Sequence, residues 1–220
     1  MPEFAQITAF DLSTSQLVWL DFTAKNEELQ SIDPDSTSAF SSYIFEKIKS
    51  QGGQVGIGGW LENRTIYRSR EQFNTGKSRN IHLGVDIWLP AESPLFAPET
   101  CEIYGLANNT GFGNYGPTII LKAQHKELFY LFGHLSLDSL EGKTEGQKIE
   151  AGQSVGKIGN YPINGDWPPH LHFQVMQNLL GQKSDFPGVC AENELAFFQK
   201  YCLNPYPFLG LQEKDWAHKP

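Results

Sequence analysis

The chain has 220 residues, 40% apolar and 19% charged, a composition that suits one or two compact domains and excludes a disordered polymer. Seventeen Lys and Arg against 25 Asp and Glu leave a formal charge of −8, which argues against a broad nucleic-acid face, because phosphate recognition needs a basic surface. No apolar run approaches the roughly 20 residues needed to span a bilayer, so no membrane insertion is expected.

The N-terminal residues Met1-Pro2-Glu3-Phe4-Ala5-Gln6 carry neither a basic nor an apolar leader. A cytoplasmic location is therefore expected, or a periplasmic or secreted one if the N-terminus has been trimmed. Cys101, Cys190 and Cys202 are odd in number and lack a C-x2-C spacing, which argues against a disulfide framework and a cysteine zinc ribbon.

Residues 1–54 read as an N-terminal extension packed on the core. Leu17-Val18-Trp19-Leu20 is a strand or edge segment, and Asp33-Pro34-Asp35-Ser36 is a turn followed by an N-cap. Phe40, Tyr43, Ile44 and Ile48 recur every three or four residues, which predicts a helix over 37–50 with one apolar face, ended at Gln51-Gly52-Gly53.

Over 55–176 the texture changes to short apolar runs between glycine- and proline-rich turns. Strands are expected at Ile87–Leu89, Glu102–Leu106, Thr118–Lys122, Leu128–Phe132, Ser154–Ile158 and Leu171–Val175. The reading is a mainly β core with an antiparallel sheet and a few peripheral helices. Residues 177–220 then supply a helix over 191–202, with Leu195, Phe198 and Cys202 on one face, stopped by Asn204-Pro205-Tyr206-Pro207 and followed by a tail.

Six histidines decide where chemistry can occur. His125, between Gln124 and Lys126, reads as a solvated hairpin residue, and His218 as tail. The other four sit in patterned contexts. In His82-Leu83-Gly84-Val85-Asp86 a straight strand would hold the two Cα atoms about 13 Å apart, too far for one metal. If both are ligands the chain must bend between them, and Gly84 is the residue that permits it. In Pro169-His170-Leu171-His172-Phe173-Gln174-Val175, alternation puts His170, His172 and Gln174 on one face and Leu171, Phe173 and Val175 on the other. Leu128-Phe129-Tyr130-Leu131-Phe132-Gly133-His134 is a buried strand that delivers an imidazole at its end. Two histidines and one aspartate make a three-ligand metal set with an open position, the arrangement of catalytic zinc sites, and two further histidines remain to handle protons. No G-x-S-x-G nucleophile context is present.

Taken together, H-x-x-x-D at His82 and Asp86, Phe132-Gly133-His134, and H-x-H at His170 and His172 resemble the M23 family of zinc metallopeptidases, the lysostaphin/LytM type. Gly113-Asn114-Tyr115-Gly116, Gly156-Lys157-Ile158-Gly159 and Pro169-His170-Leu171-His172-Phe173 extend the likeness over about 80–176. The resemblance implies a zinc-dependent endopeptidase or amidase using a metal-activated water, with one Zn2+ per chain. Its ligands would be His82, Asp86 and His172, its catalytic pair His134 and His170, and its partner a peptide or amide substrate. It leaves the oligomeric state open.

The chain departs from the family pattern in two places. Gln174 stands where a glutamate usually follows the last ligand, and 74–81 contain no tyrosine to stabilise an oxyanion. Val55–Trp60, Tyr67-Arg68, Trp167-Pro168-Pro169 and Asp185–Val189 look most similar to the M23-like module of fusion proteins that join phosphotransferase and aminotransferase domains. The alternative is a catalytically silent binding or regulatory module. Such modules usually lose metal ligands, whereas all five key positions are present here.

Overall fold

The apolar runs assemble into one large sheet in the computed structural model, which describes residues 4–67 and 78–216. In chain order the elements are β1 (Leu17–Leu20), α1 (Thr37–Ser50), β2 (Val55–Gly58), β3 (Ile81–His82), β4 (Val85–Trp88), β5 (Pro94–Phe96) and β6 (Cys101–Asn109). There follow β7 (Gly116–Ala123), β8 (Phe129–Gly133), β9 (Lys148–Ile149), β10 (Ser154–Lys157), β11 (Leu171–Met176), β12 (Val189–Cys190), α2 (Leu195–Phe198), β13 (Cys202–Leu203) and α3 (Glu213–Trp216).

The main sheet runs β1-β2-β4-β11-β8-β7-β6-β9, with β13 added to β11. Its pairings are antiparallel except for β1 on β2, which is parallel from Leu17 opposite Val55 to Leu20 opposite Gly58. Two short ribbons, β5 with β10 and β3 with β12, flank it. The mainly β, antiparallel architecture expected from the sequence is the one observed.

Strands β7 and β8 carry the apolar runs Ile119–Leu121 and Phe129–Phe132 because both of their faces are buried there. Ile119, Leu121, Tyr130 and Phe132 join Phe173 and Val175 of β11 in the main core. Ile120, Phe129 and Leu131 project to the other side, into a second cluster with Met176 and Phe186. Alternation along β11 leaves His172 and Gln174 opposite Phe173, on the face that becomes the site.

The helix predicted over 37–50 forms over Thr37–Ser50. Its buried face, Phe40, Ile44 and Ile48, packs on Val18, Leu20, Phe22 and Trp88. The helix predicted over 191–202 is shorter. A 3-10 turn at Glu192–Glu194 leads into the single turn of α2, and Cys202 instead opens β13, where it pairs with Met176 of β11. The free edge of a central strand captures this backbone, so pairing overrides the weak helical period there. Among the described residues, no helix is long and apolar enough to cross a membrane.

Phe40 is fully buried, with its ring 5.7 Å from Phe22 and 6.4 Å from Trp88. Phe40→Ala is expected to lower the unfolding free energy by about 3–5 kcal/mol in urea titrations, the usual cost of emptying a buried phenylalanine site. A loss below about 1 kcal/mol would show that α1 is not cooperatively packed on the sheet.

Candidate metal centre

Four strands bring the polar residues together. His82 ends β3, the chain bends at Leu83-Gly84, and Asp86 lies in β4. Register then sets Asp86 directly opposite His172 of β11, and His172 opposite Gly133 of β8, one residue before His134. The bend is close-packed: a Cβ on Gly84 would lie 2.7 Å from His172 Nε2 and 2.8 Å from the Phe173 carbonyl oxygen. Gly84 therefore serves the bend and also leaves room for the ring beside it.

Three ligand-type atoms face one another. His82 Nε2 lies 3.0 Å from His172 Nδ1 and 3.3 Å from Asp86 Oδ1, and His172 Nδ1 lies 3.2 Å from Asp86 Oδ1. His170 Nε2 stands 3.7 Å from the same oxygen. His134 lies over His170, ring centroids 4.3 Å apart. His134 ends its strand in the left-handed region, φ 63°, and its N–H donates to the Tyr115 carbonyl at 2.8 Å. The five residues of the expected cluster are thus gathered and buried. His125 is exposed in the hairpin between β7 and β8; His218, Arg68 and Asn74 lie outside the described residues.

The anchors of the rings fix where each lone pair points. His82 Nδ1 bonds the Gly59 carbonyl at 2.8 Å, His134 Nδ1 the Asn164 carbonyl at 2.7 Å, and His170 Nδ1 the Pro168 carbonyl at 2.7 Å. A carbonyl only accepts, so each Nδ1 carries the hydrogen and each Nε2 keeps its lone pair. His172 is held the other way round. Its Nε2 lies 3.0 Å from Gln174 Oε1, while the Gln174 amide group donates to the Pro187 carbonyl and to Cys202 Sγ. His172 Nε2 therefore donates, and Nδ1 is its free atom.

It follows that His82 Nε2, His172 Nδ1 and Asp86 Oδ1 are three acceptors aimed at one another, an arrangement that only a cation relieves. For ligands at roughly 2.0–2.2 Å from a tetrahedral metal, the spacing between ligand atoms is about 3.3 Å. The observed 3.0–3.3 Å matches that spacing, so the donor set fits a zinc ion.

Sequence reasoning missed the ionic support of this cluster. Arg64, 1% exposed, donates from Nη1 to Asp86 Oδ2 at 2.5 Å and to the Tyr67 hydroxyl at 2.8 Å, and from Nε to Glu62 Oε2 at 2.7 Å. Glu62 Oε1 accepts the Phe22 N–H at 2.8 Å. A charged residue is exposed by default, so nothing in the pattern Glu62-x-Arg64 announces burial. Tyr115 was also missed; its hydroxyl lies 3.4 Å from His172 Nε2.

Burial opposes the charge on Asp86, but His82 and Arg64 outweigh it and hold the carboxyl well below the usual range. Burial pushes His170 down to about 4, and burial with the nearby Arg64 does the same to His82. His134 falls well below its ordinary value through burial and the neighbouring His170. All four groups border a cavity of about 310 Å³, whose walls include Trp88, Tyr115, Trp167 and Phe186. Trp88 stacks on His170, centroids 4.1 Å apart, and so links the site to α1 through Phe40.

Comparison with known proteins bears on this cluster. Residues 80–185 match the model of Peptidase family M23. That segment contains His82, Asp86, His134, His170 and His172. No curated protein matches the chain. Among solved structures, the catalytic domain of the antimicrobial peptidase lysostaphin from Staphylococcus simulans is 23% identical, with 63% of this chain and 96% of that one covered and a TM-score of 0.41. The solution structure of lysostaphin is 26% identical over 60% of this chain and 44% of that one, with a TM-score of 0.40, so this chain spans less than half of that protein. A zinc-containing peptidase from Vibrio cholerae is 21% identical over 49% and 32%, with a TM-score of 0.37.

Two outcomes are expected from this geometry. Gly84→Ala should push the His172 ring off its Gln174 bond and weaken zinc binding about tenfold or more in a chelator competition, with the fold retained. Metal-free protein should also lose stability in acid. Because His82, His134 and His170 have lowered values in the fold, the unfolded chain binds more protons below about 6.5. Stability should be intact above that pH and fall between about 6.5 and 4, by up to about 1.4 kcal/mol per pH unit for each histidine. Urea titrations at pH 7.5, 6 and 5 measure it, and a flat profile would refute neutral burial of the rings.

Proposed function

We propose that the chain is a zinc-dependent hydrolase of peptide or amide bonds. The observation that carries this reading is the meeting of His82 Nε2, Asp86 Oδ1 and His172 Nδ1 beside two further imidazoles with free lone pairs. Those three residues would hold one ion, and three protein ligands is the number that catalytic zinc sites use. When bound, zinc supplies a Lewis acid that polarises a carbonyl and brings the pKa of water from about 15.7 towards 7.

The proton chemistry falls to the chain's own residues. His134 and His170 have Nδ1–H committed to backbone carbonyls, so each can take up and return a proton only at Nε2. Burial keeps both rings neutral near pH 7, which leaves that lone pair ready to accept. Tyr115 keeps its proton because burial pushes the phenol well above its usual range, and it presents a donor hydroxyl beside His172. Trp88, Tyr115 and Trp167 stand beside these groups in the cavity wall. On this reading the substrate is a peptide or a small amide, bound beside these groups in the cavity.

The test is zinc stoichiometry by elemental mass spectrometry, with turnover on a panel of peptides and amides. The parent chain should carry about one equivalent. His172→Ala should lose the metal, whereas His134→Ala should keep it and lose about 10²–10⁴ in kcat/KM. Zinc-free His134→Ala, or undiminished turnover in it, would sink the assignment. A chain that binds zinc and cleaves nothing would instead support the binding-module reading.

A further inference from the structure

Arg64 stands apart from the residues assigned so far. It is a buried cation placed directly behind a ligand that a metal cation would use. Two effects compete there. A bare positive charge would repel the metal, while a rigid guanidinium would fix the carboxylate that receives it. Glu62 decides between them. Its carboxylate sits 2.7 Å from Arg64 Nε and is itself tied to the Phe22 N–H, so the pair presents a dipole and not a net charge. Fixing the carboxylate is then the effect that remains.

The geometry of that fixing is specific. Arg64 Nη1 takes Asp86 Oδ2 and leaves only Oδ1 facing His82 and His172. The guanidinium is in turn held at Nε by Glu62 and at Nη1 by Tyr67, and its Cζ lies 5.2 Å from the Phe22 ring centroid. Nη2 has no hydrogen-bond partner among the described residues and lies against β2, where a Cβ on Gly58 would come within 2.7 Å of it. The missing side chain at Gly58 is what admits the guanidinium. We propose that Arg64 is a positioning residue for the metal centre: with Glu62 and Tyr67 it holds Asp86 as a one-oxygen ligand, ready before the ion arrives. Only Arg serves here, because its planar fork meets several fixed partners at once, which a lysine ammonium on a flexible stem does not.

The inference rests on the reading of His82, Asp86 and His172 as a zinc site, and its test separates the two. The double variant Glu62→Gln with Arg64→Met removes a cation and an anion together, so the net charge is unchanged and Asp86 is the one buried charge that loses its partner. Arg64→Lys keeps the charge and loses the fork. Zinc affinity is measured by competition with a chromophoric chelator, and the coordination by the visible absorption of cobalt(II)-loaded protein. Far-UV circular dichroism and urea unfolding report the fold.

The double variant is expected to fold and to bind zinc about 10–100-fold more weakly, the usual effect of removing a partner that orients a ligand. Its cobalt spectrum should change as Asp86 becomes free to offer both oxygens. Arg64→Lys should show the same weakening to a smaller degree. Parent-like affinity and an unchanged spectrum in the folded variants would overturn the proposal. If the double variant unfolds, Arg64→Lys decides alone by the same two readouts. A parent chain that takes up no zinc would overturn the metal-centre reading itself, a result distinct from a parent that binds zinc and is indifferent to Arg64.

Discussion

Three acceptor atoms held face to face, His82 Nε2, Asp86 Oδ1 and His172 Nδ1, are the constraint around which the rest of the structure is arranged. Lone pairs 3.0–3.3 Å apart in a buried place repel one another, so without a cation among them the surroundings must hold them together. Here the surroundings do so. The register of β4 on β11 sets Asp86 against His172, and the bend at Gly84 folds His82 back over both. Each ring is pinned at its far nitrogen, by Gly59 for His82 and by Gln174 for His172. The main-chain ladder thus supplies the positions, and one hydrogen bond per ring supplies the orientation.

The N-terminal region contributes more than surface. Strand β1 extends the sheet, and α1 places Phe40 against Trp88, which in turn stacks on His170. The Phe22 N–H anchors Glu62, whose partner Arg64 reaches Asp86. Two routes, one aromatic and one ionic, therefore run from residues 22 and 40 to the polar cluster. Both end on groups that need a fixed orientation. A ring that exchanges protons at one nitrogen and a carboxylate that offers one oxygen are useful only when they do not rotate.

Burial also sets the protonation of the cluster. His82, His134 and His170 stay neutral because burial disfavours an imidazolium, while Asp86 stays charged because the buried Arg64 guanidinium bonds it and offsets the same desolvation. Neutral nitrogen donors beside an ionised oxygen are the forms in which these side chains bind metals. One buried environment leaves the two residue types in these opposite forms because the Arg64 cation favours an ionised carboxylate and disfavours an imidazolium.

Much of this was legible in the amino-acid sequence alone. Period-two alternation around His170, His172 and Gln174 gave their common face, and apolar runs ending in Gly133-His134 gave a strand that delivers an imidazole. The glycine between His82 and Asp86 marked the bend, and three- and four-residue spacing marked α1. These are local signals, carried by residues a few positions apart. Tertiary structure decided what depends on partners far along the chain: the parallel seating of β1, the diversion of Cys202 from a helix into β13, and the burial of Glu62 and Arg64. Lone-pair directions were decided there too, because a ring's tautomer follows from the carbonyl or amide it meets, and Asn164 and Gln174 become anchors only once loops and strands have closed around them. Pattern reports which face a side chain takes. Only the folded chain reports what waits on that face.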